Sequence, residues 1–281
     1  MSSSKISLIG LKADAFRHPL DLKATQALKK IPGTDLIIRN FLGPVVEQVF
    51  HVENISSSVL LGEKQLPQIY ELLVSACKIL DIQIPRLYIR SSPTPNAYTF
   101  AMRGKQPFIV VHTALIDMLT LEEIQAVIAH ELGHLKCDHS VYLTPVNLLM
   151  LAVTSIPNIG EVIAQVIQNQ LLEWLRCAEF TCDRAALLVS QDPRVVMSAL
   201  MKLAGGSPYI APQLNVDAFI AQACDYEELS NNKLGEMIKT LINAQLTHPV
   251  PVIRAKEIEL WANSQEYQRL LQNHKMCYHN K

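Results

Sequence analysis

The sequence predicts an α+β protein in which helices dominate and the strands form one small antiparallel sheet. Three observations carry that expectation. Apolar residues recur at helical spacing over most of the 281 positions, three short runs between 84 and 112 are instead rich in β-branched and aromatic residues, and Pro, Asp and Thr stand where helices would begin. A chain that is 49% apolar and 18% charged has enough apolar surface for a packed globular core.

In order, "PLDLKATQALKK" (19–30) and "LIIRNFLGPVVEQVF" (36–50) read as helices. The second is interrupted at Gly43-Pro44, where the ring removes a donor and disfavours helix in the residue before it. Pro67 suits a first-turn position and opens a helix to about Leu80. "IPRLYIR" (84–90), "NAYTFAM" (96–102) and "PFIVVH" (107–112) are the strands, with "RGKQ" as a hairpin turn. Helices then run from Thr120 to about Cys137, through 141–190, over 193–204 behind Asp192-Pro193, and near 249–263. The uncharged stretch 140–160 is long enough to span a bilayer, but Thr144, Pro145, Asn147, Pro157 and Asn158 make it a poor span. It reads better as part of a buried or membrane-touching helical hairpin over 141–172. With no repeat and no Gly/Ser linker, the simplest organisation is one domain over 66–263, an N-terminal extension (1–65) packed on it, and a C-terminal tail (264–281) whose "HKMCYHN" reads as frayed.

Charge and cysteines exclude some partners. A formal net charge of -1 offers no basic surface for nucleic acid. Six cysteines without a CxxC pair read as small core residues of a reducing compartment, cytoplasmic or stroma-like, and no secretory signal is read at the N-terminus.

The chemistry starts at "AVIAHELGHLKCDH" (126–139). Thr120 with Glu123 three positions on forms a capping-box signature, and Ile124, Val127, Ile128 and Leu135 mark the buried stripe of the helix. Glu131 follows Ile124 by seven and His134 follows Val127 by seven, so a carboxylate and an imidazole fall on a face that should be apolar. Unpaired, they would cost several kcal/mol. A metal ion would compensate them: His130 and His134, four apart, project from one side of the helix toward a single ion, and Glu131 is turned toward a water on that ion. This is the H-E-x-x-H arrangement of zinc peptidases. A third ligand is expected from another helix. "WLRCAEFTCDRAALLV" (174–189) supplies Glu179 and, four residues later, Asp183, which suits the outer nitrogen of a ligand histidine. Arg176, one turn earlier, either pairs with a carboxylate near the site or forms a surface ion pair.

Taken together, "HELGH", "RCAEFTCDRAA" and "THPVPVIRAKEIE" (247–259) resemble the M48 family of zinc metallopeptidases, which includes the HtpX and Ste24 proteases. The resemblance spans about 66–263. It implies a zincin-like (gluzincin) domain, one Zn2+ per chain held by His130, His134 and Glu179, Glu131 as general base, and Asp183 and Arg254 behind the ligands. It also implies His248 as stabiliser of the oxyanion and a protein or peptide substrate paired with an edge strand at Asn96, Ala97, Tyr98 and Thr99. Without the clear transmembrane helices of HtpX and Ste24, and with "LKADAFRHPLD" near its start, the chain looks like a soluble or peripheral branch similar to cyanobacterial and plastid members. A catalytically silent scaffold or membrane-surface adaptor, and a zinc hydrolase of non-peptide amides, are the alternatives. The scaffold reading expects a damaged ligand set, and here the set is whole. Asp138 and His139 are read as exposed polar residues at a helix end, not as metal ligands. Cys137, Cys177 and Cys182 are read as core residues rather than thiolate ligands.

Overall fold

The computed structural model describes residues 5–29, 52, 56–101, 106–139, 160–228 and 248–279. The helix read at 36–50, most of "RGKQ" and the uncharged stretch up to 159 lie outside the described residues.

The helices begin where the sequence provides a reason. Helix α1 (Pro19–Lys29) and α2 (Pro67–Leu80) each open on a proline, and α2 closes at Asp81 in the left-handed region (φ 51°). Helix α3 (Thr113–Met118) is short. Helix α4 (Leu121–Lys136) carries HELGH and starts with the complete capping box: Thr120 Oγ1 accepts from Glu123 N, and the Glu123 carboxylate accepts from Thr120 N. The long α5 (Gly160–Ser190) is followed by α6 (Pro193–Gly205), where Asp192 accepts from Arg194 N at 2.8 Å. The remaining helices are α7 (Val216–Glu228), α8 (Pro251–Ala262) and α9 (Gln265–His279). The region read as a C-terminal tail therefore carries α9. Tyr267 is buried in the core, and Trp261 Nε1 donates to Glu266 at 3.2 Å.

The sheet departs from expectation. Strands β1 (Val59–Leu60), β2 (Arg86–Arg90), β3 (Ala97–Phe100) and β4 (Phe108–His112) lie in the order β1-β2-β4-β3. β3 and β4 pair antiparallel, as a hairpin should, but β2 and β4 pair parallel, from Arg86 opposite Phe108 to Arg90 opposite His112. The sheet is mixed rather than antiparallel because the chain passes through β3 before returning beside β2, which leaves β3 at an edge. Alternation divides the two faces: Leu87, Ile89, Ile109 and Val111 join the main core beneath the helices, while Tyr88, Phe108 and Val110 meet Tyr98 and Phe100 on the other side.

Two close approaches set up the site. α4 lies against α5 at Gly133, where an added Cβ would come within 2.9 Å of the Cys182 backbone and 3.0 Å of Ala185 Cβ. The N-terminal segment also docks on the core. Leu8 and Phe16 are fully buried, Leu8 N donates to Ile79 O, and Gln191 holds both backbone groups of Ile6.

Candidate metal centre

The glycine contact brings α4 and α5 close enough for their polar side chains to meet. His130 Nε2 lies 3.3 Å from Glu179 Oε2, and His134 Nε2 lies 3.4 Å from Glu179 Oε1, so two imidazoles converge on one buried carboxylate. That carboxylate is only 3% exposed. Its Oε2 accepts no hydrogen bond of good geometry, although His248 Nδ1 is 2.9 Å away and Arg254 Nη1 3.3 Å away. A buried oxygen with an unused lone pair beside two imidazole nitrogens suits a divalent cation, since burial without compensation costs about 1–3 kcal/mol.

Around this cluster the outer atoms are anchored. His130 Nδ1 lies 3.1 Å from Asp183 Oδ1, and Arg254 of α8 clamps Asp183 with two bonds of 2.6 and 2.8 Å. Burial alone would disfavour a charged His130, but Glu179 and Asp183 outweigh it and push its pKa up to about 10. Burial likewise opposes ionisation of Glu179, yet His130 and Arg254 hold it well below the usual carboxylate range.

Glu131 is buried beside the cluster, and its Oε2 accepts from Thr99 Oγ1 of β3 at 2.7 Å. Period two divides the residues of β3, Ala97 and Thr99 toward the helices and Tyr98 toward the other face, with Asn96 just ahead of the strand. Asn96 and Ala97 line the cleft, Tyr98 turns to the aromatic face against His112, and the Thr99 side chain is engaged with Glu131. The cleft has a volume of about 360 Å³, with Val127, Leu200 and Leu203 among its apolar walls and His130, Glu131, Glu179 and His248 on its polar side. His248 is 64% exposed on the side chain, at the cleft mouth. Arg176, half-buried one turn before Glu179, does not line the cleft.

One sequence reading is overturned. His139 is not an exposed residue at a helix end but is 0% exposed. Asp138 adopts the left-handed conformation (φ 57°) and turns the chain back, so that His139 Nδ1 lies 3.2 Å from His134 Nδ1 and the ring stands edge-on to Trp174. Its other nitrogen, Nε2, lies 2.9 Å from Asp21 Oδ2 of α1. Asp21 is also fully buried and accepts from Arg17, Thr25 and Thr181. Burial opposes its ionisation, but His139 and Arg17 hold it well below the usual range. Burial also lowers the pKa of His139 itself. The only sequence signal for this pair was two titratable residues in apolar surroundings, 118 positions apart.

A second donor grouping is present. His130, His134 and Cys182 bring ligand atoms within 4.8 Å of one another. The Cys182 Sγ, however, sits 3.7 Å from His139 Nδ1, on the Nδ1 side of His134, while both Nε2 atoms face Glu179. Burial pushes the Cys182 thiol well above its ordinary pKa, as it does Cys137 and Cys77, both to about 12. Both Nε2 atoms lie within 3.4 Å of a Glu179 oxygen, so the carboxylate is the candidate third donor beside the thiol. Cys77, Cys137, Cys177 and Cys182 are all buried free thiols, while Cys224 is an exposed one.

Two imidazoles and a carboxylate at the floor of an open cleft, with a second carboxylate alongside, are the donor set of a metal-dependent hydrolase. The chain belongs to peptidase family M48, whose sequence pattern matches residues 61–262. It is 56% identical over 261 residues to the plastoglobule-localized metallopeptidase 48, chloroplastic, of Arabidopsis thaliana, across 93% of this chain and 76% of that protein. It is 27% identical over 170 residues to protease HtpX homolog 2 of Methanosarcina mazei, across 52% of this chain and 58% of that one. Among solved structures it is similar to S. mikatae Ste24p, with 16% identity and a TM-score of 0.46 over 85% of this chain and 60% of that one. The protein is thus a metal-dependent peptidase, and its substrates are proteins or peptides. Among the described residues no helix is long and apolar enough to cross a membrane.

Proposed function

We propose that the protein is a zinc-dependent endopeptidase, with His130, His134 and Glu179 as ligands and Glu131 as general base. The observation that carries this reading is the convergence of both Nε2 atoms on the two oxygens of Glu179, at 3.3 and 3.4 Å. Bound there, zinc would supply Lewis acidity, lowering the pKa of a water and polarising a carbonyl. Glu131 takes the proton that the attacking water gives up and delivers it to the leaving amine. Thr99 holds the carboxylate oriented for this by its 2.7 Å bond. Asp183, gripped by Arg254, fixes the ring of His130. His248, at the cleft mouth, donates to the oxygen on which negative charge develops. An extended substrate runs along the edge strand at Asn96 and Ala97, and backbone pairing makes little demand on its sequence.

The name of the Arabidopsis relative places that protein at plastoglobules. For this chain we extend the reading to a reducing, stroma-like compartment, with peripheral lipid contact through 141–172. Buried free thiols suit such a compartment.

The test is metal content by mass spectrometry alongside hydrolysis of a quenched peptide. Wild type should carry about one zinc per chain, Glu179→Ala should lose it, and Cys182→Ala should keep it. Zinc retained in Glu179→Ala and lost in Cys182→Ala would replace the carboxylate with the thiolate and overturn the ligand set.

A further inference from the structure

The two histidines of HELGH are supported differently. His130 leans directly on a carboxylate, Asp183, whereas the outer nitrogen of His134 faces a second imidazole, that of His139. We propose that His139 and Asp21 are positioning residues of the metal centre, a hydrogen-bond chain from His134 through His139 to Asp21 that fixes the His134 ring and makes helix α1 part of the site. The inference rests on the reading of His134 as a ligand.

With His134 bound to a cation through Nε2, the proton inventory gives the chain a direction. A neutral imidazole that binds a cation through Nε2 carries its hydrogen on Nδ1, so His134 donates. His139 Nδ1, 3.2 Å away, must then accept, which puts the hydrogen of His139 on Nε2, where Asp21 Oδ2 receives it at 2.9 Å. Arg17 and Thr181 also donate to Oδ2 of Asp21, at 3.0 and 2.7 Å, and Thr25 to Oδ1 at 2.9 Å; Arg17 Nη1 lies 3.2 Å from His139 Nε2 as well, but its shorter contact is to the carboxylate. Arg17 also donates to Cys137 O at 3.0 Å, pinning the turn that returns His139 beneath His134. Trp174 closes the pocket by donating to Thr25 Oγ1. His139, Asp21 and the groups that hold Asp21 are buried, and His134 is partly so, which limits the geometries open to the chain. Arg17, Asp21 and Thr25 all precede residue 61, where the M48 match begins. The N-terminal segment thus supplies a carboxylate to the centre that the matched region lacks.

The test uses the full chain. Zinc affinity is read by competition with a chromophoric chelator, the Co2+-substituted protein gives a visible spectrum of the coordination, and thermal unfolding of the apoprotein reports the fold. His139→Phe keeps a ring but neither accepts nor donates, and should weaken zinc binding about 10- to 100-fold and shift the Co2+ bands. His139→Gln presents a carbonyl oxygen and an amide hydrogen in similar places and should recover most of the loss. Should the Phe variant fail to fold, His139→Leu takes its place with the same expectation. A packing role alone would lower the melting temperature and leave the Phe and Gln variants equal in affinity. Zinc held within about twofold of wild type by the apolar variant overturns the proposal. His134→Ala separates the two levels: wild-type affinity there defeats the ligand reading itself, whereas loss there with none in His139→Phe defeats only the relay.

Discussion

Glu131 illustrates how much a single side chain can be asked to do. It is buried, ionisable and tethered by one hydroxyl. Glu131→Gln should keep its metal and its melting temperature while kcat falls about 10²- to 10⁴-fold in a peptide assay. Thr99→Val should lower kcat by about tenfold with metal content unchanged, since it frees the carboxylate without removing it. At this scale the sequence was informative wherever partners share a helix turn. His130 with His134 and Glu179 with Asp183 are four apart, and that spacing alone puts each pair on one face. It was silent where a contact depends on a turn of the backbone, as with His139. No local pattern announces that Asp138 will turn left-handed and carry the next ring against His134.

Helices are the elements the sequence specified best, because caps and prolines are local. Pro67 and Leu80 are both ends of α2 as read, and the Thr120 box opens α4. The sheet was only partly legible. Composition marks the three longer strands, but which strand lies beside which is decided by the core they share, and the two-residue β1 has too few positions to show a period. The junction of α4 and α5 gives the prediction proper to this scale. Gly133→Ala would gain up to about 1 kcal/mol in helix propensity. Overpacking against the Cys182 backbone and Ala185 costs about 1–3 kcal/mol, so a net loss is expected. Chemical denaturation of the apoprotein measures it. Zinc affinity should fall in the same variant, because α4 and α5 carry the proposed donors on opposite sides of the joint.

Across the molecule, stability depends on carboxylates that fasten elements together. Burial would raise the pKa of Glu123, but Lys202 and Ser198 of α6, with the N–H of Thr120, hold it below the ordinary range. A lowered folded-state value means this contribution is whole above the unfolded pKa of about 4.3 and disappears as pH falls through the folded one. Melting temperature should therefore be level near neutrality and drop below about pH 4, with a shallower acid limb in Glu123→Gln. The order β1-β2-β4-β3 has its own consequence for the whole chain. Since β3 is an edge strand paired with β4, its register on that neighbour sets the alignment of the site. A one-residue slip of β3 along β4 would swap the faces of the strand, aim an aromatic ring at Glu131, and turn Thr99 toward the aromatic side. The pairing of one four-residue strand thus keeps a hydroxyl, and not a phenyl or phenol ring, against the carboxylate of the neighbouring helix.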